Sequence, residues 1–530
     1  MDKHIPVLIV GAGPTGLMMA CELARYGVPF RIVDKKLERT LASNATWVQT
    51  RTLELFNQIG ILDRFLHAGH RCDAINLYSD GKYLTKLSLN YIDSLYPFIL
   101  MLPQSETERL LGEYLKELHG QIEWSAELIE VKCDSKIVES NIRSSTGDIE
   151  TITSDWLIAC DGANSIIREK CGFHFPGEDL TEQFVVADAK IDFSYMSKDE
   201  IHLFFDPGTI FAAFPLGSNK YRIAANLHLD YPRKIFTERE VIEIVQERAH
   251  GKYYVTDVGW ISPFWIHGKL VEHMRHDRIF LVGDAAHIHS PAGGQGMNTG
   301  LQDAFNLAWK LALVIKGKAT LSLLDSYHSE RFPIVKQAVD QNEYFTKMAL
   351  FDDTFLTKLN HFSKTLSHDQ KSLSKQIGEQ ITQIDIQYQT SPIIKYEETV
   401  NSHAPKPGKR APDVVINQSS QLYHYLRNTK HNVLIFTGLE DDDSIKIKDL
   451  KKQIDQTYSN LVKTHCISKD KITDLDDFIL DENNILHESY RIKKPTIYIV
   501  RPDGYIAYCS TRFNFSSVEN LLDKYLYKDK

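Results

Sequence analysis

Gly283 to Asn298 reads GDAAHIHSPAGGQGMN, with four glycines, three alanines, one aspartate and two histidines in sixteen residues. Bare backbone at that density has a chemical use. Without Cβ atoms, backbone N–H and C=O groups can lie flat against a planar ligand. Asp284 closes the predicted strand RIFLVGD (Arg278 to Asp284), where a carboxylate can hold a ribose or ribityl hydroxyl. A helix predicted from about Thr299 aims its positive N-terminal end at the same place, which suits a flavin that becomes anionic on reduction. His287 and His289 have no third or fourth ligand at metal spacing nearby, so they are expected to hydrogen-bond backbone or wall a pocket and to bind no metal.

A second glycine cluster opens the chain. GAGPTG is Gly11-x-Gly13-x-x-Gly16, placed between the apolar run IPVLIV and the helical pattern GLMMACELARYG. Gly11 allows the tight turn, Gly13 lets a pyrophosphate approach the backbone, and Gly16 lets helix and strand pack closely. Asp34, at the end of the next predicted strand, is placed for a ribose. Strand, loop, helix and acid in register predict dinucleotide binding. A third motif, DWLIACDGANSIIR (Asp155 to Arg168), is another strand ending in an acidic turn, with Asn164 and Ser165 able to cap a helix.

The elements that must position these motifs follow from patterning. The length of 530 residues implies two or three domains. The opening βαβ predicts a parallel sheet. IHLFFDPGTIFAAFPLGSNKYRIAANLHLD (Ile201 to Asp230) alternates β-prone runs with turn signals and predicts an antiparallel sheet. Residues 334–388 are polar and glycine-poor, which predicts helices. Prolines and glycines cluster in HAPKPGKRAPD (His403 to Asp413) and mark a boundary before a compact final module. The expected organisation is α/β: a discontinuous Rossmann-like cofactor domain (1–180 and 270–330), a substrate-binding sheet domain (181–269), a helical segment (331–400) and a last domain (405–530).

Sixty-one Lys and Arg against seventy Asp and Glu leave a net charge of −9, which gives no reason to expect a nucleic acid or anionic membrane partner. Seven scattered cysteines argue against a disulfide framework and fit a reducing compartment. No signal pattern precedes the first motif and no apolar stretch is long enough for a bilayer, so a cytoplasmic protein is expected. A homodimer is left open.

Together, the three motifs in this order resemble the class A flavoprotein aromatic hydroxylases, which include the para-hydroxybenzoate, phenol and polyketide hydroxylases. The resemblance covers about residues 1–350. It implies that Gly11, Gly13, Gly16 and Asp34 hold the ADP half of FAD, and that Arg51 and Gln104 also contact FAD. It implies that Asp161, Gly162 and Arg168 serve FAD and NAD(P)H, that Asp284 takes the ribityl chain, and that Pro291 to Asn298, with Gly294, Gly296 and Met297, lie beside the isoalloxazine ring. With only one GxGxxG, NADPH or NADH is implied to dock transiently. Reduced flavin would then react with O2 to a C4a-hydroperoxide that hydroxylates a phenolic or polycyclic aromatic substrate. Trp47, Phe204, Phe214 and Pro215 are candidate substrate walls. Thr46 stands where phenol hydroxylase carries an acidic base, and AAFPLG offers no arginine to clamp a carboxylate, so no phenol-deprotonating residue can be named. The tail resembles a thioredoxin-like domain without its CxxC, and Lys494-Pro495-Thr496 sits where such folds place a proline that is often cis. Alternatives are an antibiotic-inactivating monooxygenase of the tetracycline or rifampicin type and a non-catalytic flavin-binding interaction protein. A halogenase should carry WxWxIP, which is absent.

Overall fold

A computed structural model describes residues 4–40, 45–134, 136–193, 196–227, 235–251, 253–290, 293–397, 402–417, 420–439, 444–471 and 478–528. The β-branched run His4–Val10 is the middle strand of an eight-stranded sheet. It pairs in parallel with Phe30–Asp34 on one side and Ile149–Ala159 on the other, and Ile279–Leu281 continues the parallel set beyond Ile149–Ala159. Such strands are covered on both faces and are apolar throughout; Val7, Leu8 and Ile9 are fully buried. Helices Pro14–Arg25 and Gly296–Ile315 pack together against this sheet. The second helix starts three residues before the expected Thr299, so Gly296 to Asn298 form its first turn.

The antiparallel sheet is wider than residues 181–269. Its nine strands include Gly177–Asp192, Ile201–Asp206, Thr209–Gly217, Lys220–Leu227 and Ile261–Leu270, but also Ala74–Ser79, Lys82–Ser88 and His287–Ile288. Ala74–Ser79 pairs in parallel with Ile201–Asp206, an edge that needs a partner from the first quarter of the chain. The substrate-sheet domain is therefore not one continuous stretch. Helices Asp325–Phe351, Phe355–His368 and Gln370–Ile381 make up the helical segment, which begins six residues before the expected 331.

The final module has a five-stranded sheet. Phe478–Leu480, Val462–Ser468 and His431–Phe436 are parallel, and Thr496–Val500 and Ile506–Ser510 continue it antiparallel. The described residues contain no cis peptide, Pro495 included. One face of this sheet shares the main core, where Val433, Ile435 and Ile499 belong to the same buried apolar cluster as Val7 and Trp309, while the other face, with Leu434, Phe436 and Tyr498, has a core of its own. Ion pairs reinforce the junction. Arg501 bridges Glu330 (3.0 Å) and Asp503 (3.0 Å), and Lys310 reaches Glu330 at 2.7 Å, all fully or almost fully buried. Among the described residues no helix is long and apolar enough to cross a membrane.

Candidate active site

A cavity of about 840 Å³ runs along the carboxyl ends of the parallel strands and then opens onto one face of the antiparallel sheet. Crevices at strand carboxyl ends are where open α/β sheets bind ligands. Gly11 follows His4–Val10, Asp34 ends Phe30–Asp34, Asp161 follows Ile149–Ala159 and Asp284 follows Ile279–Leu281, and all four line the cavity. Two backbone amides fix Asp34, Ala12 donating to Oδ2 (2.7 Å) and Lys36 to Oδ1 (2.9 Å). Burial raises the Asp161 carboxyl above the usual range, and its Oδ1 has no partner. Asp284 is open to the cavity but walled by protein elsewhere; that burial raises its carboxyl against the pull of His287.

Neither helix that faces the cavity has a side-chain cap at its start, at Gly13 or at Gln295. Uncapped helix N–H groups are ready partners for an anion. A Cβ on Gly13 would meet nothing within 4 Å, so the space in front of it is left for a ligand. Gln104 and Glu108 complete the far end, joined at 2.9 Å. These donors, acids and open backbone fit FAD.

The glycine loop is fastened from behind. His287 Nε2 meets Asp303 at 2.7 Å, and Arg331 Nε donates to the same carboxylate at 2.6 Å. Burial opposes ionisation of Asp303, but Arg331 and His287 prevail and hold its carboxyl low. Asn298 is buried away from the cavity: its amide donates to Trp47 O and Gly294 O (both 2.8 Å), and its oxygen accepts from Gln49 N and Thr52 Oγ1. No group of three or more His, Cys, Asp or Glu among the described residues could hold a metal.

The sheet supplies the other half. Phe184, Phe205, Ala212, Phe214 and Ala224 face the cavity, while Val185, Phe204, Phe211, Ala213 and Ala225 face a separate core behind. Side chains alternate along a strand, and this parity corrects two expected walls. Phe204 stacks on Tyr78 behind the sheet, with ring centroids 4.4 Å apart, and Pro215 falls on the opposite face from Phe214. Trp47 and Phe214 do line the cavity, edge to face at 5.6 Å.

Two further expectations change place, while Gly16 serves the close packing that its spacing predicts. Arg51 does not reach the cavity: it pairs with Glu54 (3.0 Å), donates to Asp503 O (2.9 Å) and lies over Tyr505, so it anchors the final module. Arg168 donates to Ala163 O and Ala285 O and packs over Phe175, which ties the Asp161 turn to the Asp284 turn from outside. Gly16 packs on Gly11, whose oxygen would sit 1.9 Å from an added Cβ. Gly162, Gly294, Gly296 and Met297 line the cavity, and Pro291 lies outside the described residues.

Arg222 was not anticipated. It lines the aromatic half, with Asp188 gripping Nε (2.8 Å) and Nη2 (3.1 Å), Thr46 Oγ1 accepting from Nη1 (2.7 Å) and Trp260 beneath it. Its parity with Ala224 on Lys220–Leu227 was the available signal. Trp260, Trp265 and Phe345 were also missed, and the last two come from segments with no motif.

A dinucleotide cleft that opens without a barrier onto an aromatic chamber defines a flavoprotein oxidoreductase. Residues 4–342 match the FAD binding domain family, and the chain belongs to it. An uncharacterised aromatic compound monooxygenase of Bacillus subtilis is 33% identical over 458 residues, covering 85% of this chain and 89% of that one. A 12-dehydrotetracycline 5-monooxygenase/anhydrotetracycline 6-monooxygenase of Streptomyces rimosus is 29% identical and covers 98% of this chain and 97% of its own. Among solved structures, the anhydrotetracycline hydroxylase OxyS of Streptomyces rimosus superposes with a TM-score of 0.76 at 26% identity, covering 99% of each chain. The flavin-dependent monooxygenase PieE, in complex with FAD and substrate, gives 0.82 at 22% identity and covers 98% of each, a likeness of fold.

Proposed function

We propose that the protein is an NAD(P)H-consuming, FAD-dependent monooxygenase that inserts one atom of O2 into a phenolic or polycyclic aromatic substrate. One observation carries this reading: the cofactor cleft and the aromatic chamber form one continuous cavity. When bound, FAD would supply the two-electron redox chemistry that couples NAD(P)H oxidation to O2. The chain's own residues do the rest. Asp34 and the start of helix Pro14–Arg25 would hold the adenosine and pyrophosphate end, and Asp161 and Asp284 would hold hydroxyls along the middle. The uncapped start of Gly296–Ile315 favours negative charge on the ring, by an effect on the order of 1 kcal/mol. Phe184, Phe205, Ala212 and Phe214 exclude water, and Arg222 brings no bare charge because Asp188 and Thr46 engage it. An apolar, preorganised chamber keeps activated oxygen for the substrate.

Turnover under labelled dioxygen, with a panel of phenols, hydroxyanthraquinones and tetracyclines, tests this reading. Product heavier by one oxygen label is expected, with none from labelled water. Label entering from water, or hydrogen peroxide as the sole oxygen product with every compound, overturns it.

A further inference from the structure

Among the described residues, the large apolar side chains of the chamber wall are buried or half-buried, with one exception. Phe345 lines the cavity and is also 37% exposed. Its ring stands edge to face with Phe205, a neighbouring wall, at 6.2 Å, and with the buried Phe355 at 6.0 Å. Residues three and four apart are neighbours on a helix. On Asp325–Phe351, Tyr344, Phe345, Met348 and Phe351 therefore form one ridge. Tyr344 is 66% exposed and Phe351 55%, with Met348 half-buried between them.

The helix does not need this ridge for its own packing. Ala349 and Leu350 are buried and join the apolar clusters of Phe205 and Phe184. Contiguous apolar surface left in water marks a place where something binds, and this surface begins inside the chamber wall. The lysines beside it are engaged. Lys347 is shared by Glu178 and Glu343, both at 2.6 Å, and Lys358, next to Tyr344, pairs with Asp352 at 2.7 Å. The ridge thus gives neither lysine to an acidic segment or an anionic lipid surface, and its occupant is apolar and neutral.

From this continuity, and resting on the proposed function above, we infer that the substrate is longer than the chamber. Its reacting ring lies inside, and a neutral apolar extension passes Phe345 and rests on Met348 and Phe351, with Tyr344 alongside. Phe345, Tyr344 and Phe351 are then specificity-determining residues, which select elongated lipophilic aromatics over single-ring phenols.

A ligand series tests this without turnover. The FAD-loaded protein is titrated with 4-alkylphenols, from 4-ethylphenol to 4-heptylphenol, and the flavin difference spectrum is read. A methylene that leaves water entirely strengthens binding by about fourfold, and one resting on an open ridge by about twofold. Wild-type affinity is expected to climb by about two- to fourfold per carbon to the end of the series. Tyr344→Ser combined with Phe351→Ser, where both side chains already stand in water, should fold, match wild type on the shortest member and stop climbing at the longer ones. Tyr344→Leu combined with Phe351→Leu, apolar again, should keep the climb. A wild type that gives no response or levels off before the longest chains overturns the inference, as does a serine variant that climbs as steeply as wild type. So does a wild-type dimer that the serine variant dissociates, read by light scattering, which would assign the ridge to a second copy of the chain. Failure of label incorporation with the climb intact would fault the proposed reaction and leave the extended site standing.

Discussion

Gly11, Gly13 and Gly16 share one motif but answer to different forces. A Cβ on Gly11 would lie 2.2 Å from Cys160 O, at a φ of +101°, and one on Gly16 would lie 1.9 Å from Gly11 O. Both are demands of the fold. Gly13 has an ordinary extended backbone and open space in front of it. Gly13→Val is therefore expected to fold with stability within about 0.5 kcal/mol of wild type and yet to purify without flavin. Absorbance per chain together with a thermal melt checks this; full FAD occupancy would contradict it. The acids at strand ends were legible for a local reason, since Asp34, Asp161 and Asp284 each follow an apolar run. Arg51 was not, because its partners at Asp503 and Tyr505 lie more than four hundred residues away and leave no mark beside it. His289 is expected to hydrogen-bond backbone or wall a pocket, and it does both: Nδ1 meets Ser290 O and the ring lines the cavity.

Within an element, parity decides function. Ala224 and Ala225 are neighbours on Lys220–Leu227, but the first faces the cavity and the second is fully buried in the core behind. Ala224→Phe is expected to leave stability near wild type and to exclude polycyclic compounds while still admitting simple phenols. Ala225→Phe is expected to cost about 1–3 kcal/mol by overpacking without reshaping substrate choice. Denaturant melts and competition between 1-naphthol and a tetracycline separate the two. The same alternation explains why Phe214 and Pro215, adjacent in FAAFP, could not both be walls. Strand existence was legible from β-branched runs and turn signals. Sheet membership was not, because Ala74–Ser79 carries nothing that names Ile201–Asp206 as its neighbour.

At the scale of the whole molecule, the final module is welded to the cofactor domain. Asp413 stands at that seam, where Tyr423 N donates to it at 3.0 Å and Asn57 Nδ2 at 3.2 Å. Burial, with Glu54 adding to it, raises its carboxyl to about 7, while the Tyr423 amide and Arg410 work the other way. A raised acid binds more protons folded than unfolded, where its pKa is about 4. Its contribution is thus fully present below about pH 4 and is lost as pH rises to about 7. Asp413→Asn should remove this slope, so that its melting temperature gains on wild type between pH 5 and pH 7.5. A constant difference across that range would contradict the assignment. Composition and punctuation predict a boundary near residue 405, but a Pro- and Gly-rich stretch says nothing about the far side of an interface, and Arg501, Glu330 and Lys310 meet only in the folded chain.

The cavity is lined by residues from Val10 to Thr346. At about 5–20 residues per second of translation, the first glycine loop waits on the order of 20–70 s on the ribosome before the last wall segment exists. Cofactor capture therefore cannot guide the early folding of the nascent chain. Until then the apolar strands of the chamber are in water, and cells short of flavin should lose this protein to aggregation after synthesis rather than during it.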